Sequence, residues 1–343
     1  MVDISNLVRE NVKNLTPYSC ARDEFKGQEG IFMDANENPY GRLNRYPDPY
    51  QKELKKAISE YNGIPEDMIF LGNGSDEIID LCFRVFCRPG IDKILTFTPT
   101  YGMYEVSASV NDTEVVKVPL NGSFQIDSRN VKPLLSDKKL KLIFICSPNN
   151  PTGNCMDYAD VEYIISSFNG IVVIDEAYID FSDNPSFMKL IDKYPNLIVM
   201  QTFSKALGLA SVRVGMAFSN PQIIQYFNKI KPPYNISTIN QRAALNKLSG
   251  SEKMRKQVKR IKKEKALLSE KLSEMSLIET IYPSDANFFL VKVNNADLVY
   301  NSLVKMNIIT RNRNSVVKNC IRITVGKPSE NKLLVRALKT IEI

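Results

Sequence analysis

Lys205 follows an apolar run in the stretch TFSKALGLASVRVG (202–215), with Thr202 and Ser204 just before it and Arg213 just after. Two hydroxyls and a guanidinium beside a primary amine form a phosphate cradle next to a nucleophile. A pyridoxal phosphate Schiff base requires that arrangement. Taken alone, Lys205 also reads as a surface lysine after a strand. Asp175 ends the buried-looking run of VVIDEAY (172–178). A carboxylate there either caps a loop or pairs with the pyridinium nitrogen of such a cofactor, keeping the ring protonated and electron-accepting. Tyr178 is then within reach of the cofactor's phenolic oxygen, or is simply a packed aromatic. Asn150 lies in SPNNPTG (147–153), where Asn-Pro sets a turn. GNGSDE (72–77) opens an expected helix, so the N–H groups of Gly74, Ser75 and Asp76 can meet an anion with help from the helix dipole. Gly-rich turns with a Ser or Asp cap have the same form without any ligand.

The chain has 343 residues, is 43% hydrophobic and 24% charged, and contains no histidine and no tryptophan. A Ser-His-Asp triad, a Cys-His pair and any His-ligated metal are therefore excluded, and no metal site is expected. Proton chemistry must run through Lys, Tyr, Asp, Glu or a cofactor. The six cysteines (Cys20, Cys82, Cys87, Cys146, Cys155 and Cys320) form no CxxC pair and read as reduced thiols of a soluble, cytoplasmic protein. No apolar run is long enough to span a bilayer, and the first residues lack a signal-peptide profile. The net charge of +7 is carried entirely by residues 253–265, KMRKQVKRIKKEK. Met254, Val258, Ile261, Leu268 and Leu272 form an apolar stripe along the same stretch, which reads as a surface helix with a solvated basic face. With no aromatic interleaving or reading motif, nucleic acid is not the expected partner, and a membrane is not either.

These residues need a scaffold that gathers them. Between residues 66 and 220, short β-rich runs (68–71, 93–97, 114–118, 142–146, 171–175, 197–201 and 214–219) alternate with helical ones (76–86, 101–110, 158–168 and 186–193). The pattern predicts an α/β fold with a mostly parallel seven-stranded sheet and helices on both faces. Ligands bind at the carboxyl ends of such strands, where all the polar motifs fall. Beyond the basic helix the rhythm changes to strands at 278–281, 288–293, 308–311 and 320–325 with helices at 296–306 and 329–341, a smaller α+β domain. The expected division is an N-terminal segment 1–45 closing on the small domain and active site, a large cofactor-binding domain 46–250, and a small domain 251–343 entered through a linking helix 251–275.

In order, GNGSDE, PTYGMY, SPNNPTG, VVIDEAY, TFSKALGLASVRVG and IRITVG resemble the fold-type-I pyridoxal phosphate-dependent aminotransferases over residues 14–326. NLTPY (14–18), ANENPYG (35–41), RYPDP (45–49), TYGMY (100–104) and IRITVG (321–326) are most similar to the histidinol-phosphate aminotransferase branch of that family. The resemblance implies pyridoxal 5′-phosphate held by Lys205, with Asp175 on the ring nitrogen and Asn150 and Tyr178 on the phenolic oxygen. It implies Gly74, Ser75, Asp76, Thr202, Ser204 and Arg213 around the phosphate, joined by Tyr46 of a second subunit, and Tyr101 stacked on the ring. Arg322 would hold the substrate's acidic group. Arg311 would read its phosphate, with Arg313 a competing candidate because the 311–322 spacer is shorter than the family's. Tyr18 and Asn36 would belong to a closing N-terminal segment.

The implied reaction is transamination between histidinol phosphate and 2-oxoglutarate, giving imidazole acetol phosphate and glutamate for histidine biosynthesis, in a homodimer with shared active sites. Lys205 would act as the general base, so the missing histidine removes nothing from the mechanism. Threonine-phosphate decarboxylase and an aromatic-amino-acid aminotransferase share the fold and stand as alternatives.

Overall fold

The computed structural model describes residues 2–19 and 30–341. Cys20 lies outside them. The large sheet comprises β1 (Ile69–Asn73), β2 (Lys93–Thr98), β3 (Glu114–Pro119), β4 (Leu140–Cys146), β5 (Ile171–Asp175), β6 (Leu197–Thr202) and β7 (Val214–Ser219), in the order β1-β7-β6-β5-β4-β2-β3. β3, β2, β4, β5 and β6 run parallel, whereas β7 is antiparallel to both its neighbours. Residues 203–213 hold only a 3₁₀ turn, too little for a crossover, so the chain folds straight back on itself. That reversal places Thr202, Lys205 and Arg213 at one end of the sheet.

The longer helices are α1 (Lys52–Asn62), α2 (Ser75–Phe86), α3 (Met103–Val110), α4 (Tyr158–Ser167), α5 (Pro221–Ile230), α6 (Thr238–Ser249), α7 (Ser251–Ser273), α8 (Ala296–Lys305) and α9 (Pro328–Lys339). Apolar runs such as LIFIC and IVVID send alternate side chains to opposite faces. Ile143, Ile145, Val172 and Ile174 join a core with Leu54 of α1, Ile164 of α4 and Ala244 of α6. Leu142, Phe144 and Val173 join a second core with Phe83 of α2, Tyr104 of α3 and Phe227 of α5. Residues 4–13 of the N-terminal segment lie against the large domain rather than the small one. Ile4, Val8 and Val12 enter the second core, Arg9 N donates to Val85 O (2.9 Å), and Lys229 Nζ donates to Lys13 O (2.6 Å).

The small domain is an antiparallel sheet of β8 (Ile278–Ile281), β9 (Phe288–Val293), β10 (Arg311–Asn312) and β11 (Cys320–Thr324), in the order β10-β11-β9-β8. α7 ties the two domains: its Met254 and Val258 reach the first core, and Leu268 and Leu272 reach a third core with Val291, Ile321 and Leu338. Two elements differ from expectation. The strand expected at 308–311 pairs only at Arg311–Asn312. The helix expected at 186–193 is a 3₁₀ turn, Phe187–Leu190, because the buried Glu176 carboxylate accepts from Ser186 Oγ (2.6 Å) and Phe187 N (2.7 Å) and holds its start. No described helix is long and apolar enough to cross a membrane.

Candidate active site

The anion cradle is built from backbone approach. Arg213 adopts a left-handed conformation (φ 54°) and its carbonyl accepts from Gly74 N at 2.9 Å. Gly74 itself has φ +77°, and a Cβ there would stand 2.4 Å from Arg213 Nη2. A Cβ on Gly215 would stand 2.4 Å from Ser75 N. Glycine at both positions is what lets the guanidinium lie against the start of α2. No side chain caps that helix, so its first N–H groups and the positive end of its dipole stay available. Arg213 Nη2 also donates to Asp76 Oδ2 (3.1 Å), and Thr202 Oγ1 lies 3.0 Å from Ser204 Oγ. These hydroxyls, N–H groups and the guanidinium are donors of the kind a phosphate monoester binds, brought close together by the two glycines.

Beside the cradle, Asp175 ends β5 and is only 4% exposed. Burial pushes its carboxyl above the usual carboxylate range, opposed by the Tyr104 hydroxyl, the Ala177 amide and nearby Lys205. Tyr104 Oη donates to Asp175 Oδ2 at 2.8 Å and Ala177 N donates to Oδ1 at 3.1 Å. Tyr104 is fully buried, stacked on Phe144 (4.9 Å, 15°) and met edge-on by Tyr101 (5.6 Å, 85°). Sequence reasoning missed Tyr104; the one available signal was the second tyrosine of TYGMY, one helical turn from Tyr101. Tyr101 Oη donates to Asp76 Oδ1 at 3.2 Å, linking this layer to the cradle.

Lys205 is exposed as a residue, yet its Nζ lies 5.4 Å from the centre of the buried Tyr178 ring. Partial burial of the amine, then Arg322 and Arg213, lower its pKa against the opposing pull of Asp175 and Asp76. Arg322 comes from β11 of the small domain. Its Cζ sits 5.2 Å from the Phe288 ring, Phe288 meets Tyr178 edge-on at 5.1 Å, and Nη1 donates to Asn150 Oδ1. Asn150 is thereby oriented with its carbonyl toward Arg322. The neighbouring Asn149, also missed, is fully buried; it accepts from Thr100 Oγ1 (2.8 Å) and donates to Pro99 O (2.9 Å), pinning the turn to the loop after β2.

The structure therefore gathers Gly74, Ser75, Asp76, Tyr101, Asn150, Asp175, Tyr178, Thr202, Ser204, Lys205, Arg213 and Arg322 at one locus. Arg311 pairs with Arg322 across β10 and β11 and is exposed. Tyr18 is 72% exposed. Tyr46 instead stacks on Tyr234 (4.4 Å, 14°) and, with Asn36, Arg45, Ser237 and Arg242, lines a separate cleft of about 770 Å³. Among the described residues no group of His, Cys, Asp or Glu is arranged to hold a metal ion.

The model of the family described as "Aminotransferase class I and II" matches residues 26–338. The histidinol-phosphate aminotransferase of Parabacteroides distasonis is 51% identical, covering 100% of both chains. The crystal structure of the histidinol-phosphate aminotransferase from Clostridium acetobutylicum superposes with a TM-score of 0.80 at 28% identity, covering 87% of this chain and 90% of that one. The structure of the Sinorhizobium meliloti histidinol-phosphate aminotransferase in complex with pyridoxal-5′-phosphate has the same fold, with a TM-score of 0.80 at 23% identity, covering 90% of this chain and 89% of that one.

Proposed function

That this chain belongs to the class I and II aminotransferase family, and is an aminotransferase of fold type I, is the premise from which we propose its reaction. It transfers an amino group from histidinol phosphate to 2-oxoglutarate, giving imidazole acetol phosphate and glutamate, as a step of histidine biosynthesis in the cytoplasm. The observation that carries the reading is the adjacency of an anion cradle closed by Gly74 and Arg213 to a lysine of lowered pKa and a buried aspartate. These groups fit pyridoxal 5′-phosphate. When bound, that cofactor supplies an electron-accepting ring that stabilises negative charge at the substrate carbon.

The chain's own residues then divide the work. Gly74, Ser75, Asp76, Thr202, Ser204 and Arg213 bind the phosphate. Asp175 would keep a proton on the ring nitrogen, and Tyr101 would cover the ring. Asn150 and Tyr178 would hold the phenolic oxygen. Lys205 would anchor the cofactor, and its free Nζ would take the proton from the substrate Cα. A lowered pKa leaves more of that amine in the neutral, basic form. Arg322 binds the substrate's acidic group, since a planar guanidinium accepts either phosphate or carboxylate.

The protein further works as a homodimer in which Tyr46 reaches the partner's cofactor phosphate, while Tyr18 and Asn36 close over the substrate. Support comes from the exposed apolar side chains of the N-terminal arm: Ile31 is 93% exposed, Met33 89% and Tyr40 84%, which a second copy would cover. Mixed Tyr46→Ala and Lys205→Ala chains should regain activity if the site is shared. The primary test is incubation with histidinol phosphate and 2-oxoglutarate. Glutamate formation without CO₂ supports the reading, and CO₂ release from threonine phosphate without glutamate overturns it.

A further inference from the structure

We propose that Asp285 is a positioning residue for the reaction, bolting the small domain to the turn that carries Asn150. This deepens the reaction proposed above and rests on the roles given there to Asn150 and Arg322. Residues 149–154 form a closed turn: Asn149 N donates to Asn154 O (2.8 Å), and Gly153 N donates to Asn149 O (2.7 Å). Asn149 Nδ2 braces it from within by donating to Thr152 Oγ1 (2.8 Å). In so short and tied a turn, a displacement at the Gly153 end carries to Asn150.

The loop between β8 and β9 grips that end. Asp285 N donates to Gly153 O (2.7 Å), and Asp285 Oδ2 accepts from Cys155 N (2.8 Å), a reciprocal clasp between one residue and the turn. Gly153 admits the loop, since its φ is +89° and a Cβ there would stand 2.6 Å from Ser284 Oγ. From the other side, Lys265 Nζ of α7 donates to Ser284 O (2.5 Å) and Ala286 O (2.9 Å), the carbonyls that flank Asp285. Three residues on, Phe288 opens β9 as the ring that Arg322 Cζ lies over and that meets Tyr178 edge-on. The small domain therefore holds one turn at two places, through Arg322 at Asn150 and through Asp285 at Gly153 and Cys155. One bond between side chains fixes a distance, whereas two separated grips fix an orientation. The atoms that Asp285 engages, Gly153 O and Cys155 N, have no part in binding cofactor or substrate, so this grip remains when an anion takes Arg322.

The test compares holoenzymes of the wild type, Asp285→Ala and Asp285→Asn, the last keeping an oxygen acceptor for Cys155 N. In Asp285→Ala, kcat/KM in the half-reactions with histidinol phosphate and with glutamate should both fall about 10–100-fold, the cost of a misplaced site. Amide exchange across residues 149–156 should quicken at least about 10-fold, and the pH midpoint of the cofactor absorption band should shift as Asn150 loses its place. Asp285→Asn should bring all three measures back to within about threefold of wild type. A folded Asp285→Ala with wild-type kcat/KM and band, altered only in its denaturant midpoint, overturns the proposal, and so does an Asp285→Asn as impaired as Asp285→Ala. If Asp285→Ala does not fold, Lys265→Met, which loosens the loop from its other side, is read on the same measures, and wild-type values there overturn it. If the wild type reacts with glutamate but not with histidinol phosphate, the substrate reading fails, and the role of Asp285 is decided with glutamate alone.

Discussion

Replacing Tyr104 with Phe removes a single oxygen from a fully buried ring and keeps its stacking on Phe144. The lost group is the donor 2.8 Å from Asp175 Oδ2. Burial is the largest influence on this carboxyl and favours its neutral form; the Tyr104 hydroxyl is the first of the groups opposing it. A hydrogen bond to a charged group is worth about 1.5–3 kcal/mol. Without it the ionised form of Asp175 loses that much support, and it is the ionised form that the proposed pairing with the cofactor nitrogen needs. At 1.36 kcal/mol per factor of ten, kcat should fall about 10–100-fold. KM should change little, because the contacts of Tyr104 are with Asp175, Tyr101 and Phe144 rather than with the arginines proposed to read the substrate. Spectrophotometric titration supplies a second readout: the pH dependence of the lysine-bound cofactor band should shift in Tyr104→Phe, which mere loss of packing would not produce. Unchanged kcat together with an unchanged titration would refute the claim that Tyr104 sets the charge state of Asp175.

Glu176 offers a pH test. Burial raises its pKa to about 7 from an ordinary value of 4.5. An acid whose pKa is higher when folded binds more protons folded than unfolded, so its contribution falls as pH rises from about 4.5 to about 7. Relative to wild type, Glu176→Gln should gain stability by about 2.5 kcal/mol between pH 5 and pH 8, read from denaturant midpoints at those two values; a pH-independent difference would contradict the burial account. Gly215→Ala would press a methyl against Ser75 N and should weaken pyridoxal phosphate binding at least about 10-fold in an absorbance titration, since the cradle must open to admit it. Arg322→Ala should slow both half-reactions with only a small loss of cofactor, and near-normal turnover of both substrates would sink its assignment. Lys205→Ala should lack the cofactor absorption band yet remain folded, whereas persistence of the band would point to another lysine as the anchor.

Much of this fold was legible because its signals are local. LIFIC and IVVID are strands buried on both faces, and each polar motif follows its strand directly, so the carboxyl-end rule already places Asn150, Asp175 and Lys205 together. The reversed β7 was not legible, since the distinction between a crossover and a hairpin lies in how residues 203–213 are used rather than in their composition. Tyr104 escaped notice because its partner is distant in sequence and the phenol looks like any core aromatic. The arginines illustrate a third limit: sequence supplied Arg311, Arg313 and Arg322, but which guanidinium is exposed and which has a buried, unsatisfied Nε depends on the register of β10 against β11. The position of Tyr46 was not legible either: within one chain it stacks on Tyr234 and lines a separate cleft.

The bond from Arg322 to Asn150 joins the small domain to the large one through the two residues assigned to substrate and cofactor. In the roles proposed above, an anion that takes Nη1 from Asn150 would change the hydrogen bonding of an amide beside the cofactor. On those roles the pair would work as an interlock: amines lacking an acidic group would leave Asn150 engaged, and those carrying one would release it. Discrimination against the many small amines in a cell would then be exercised at the chemical step as well as in binding.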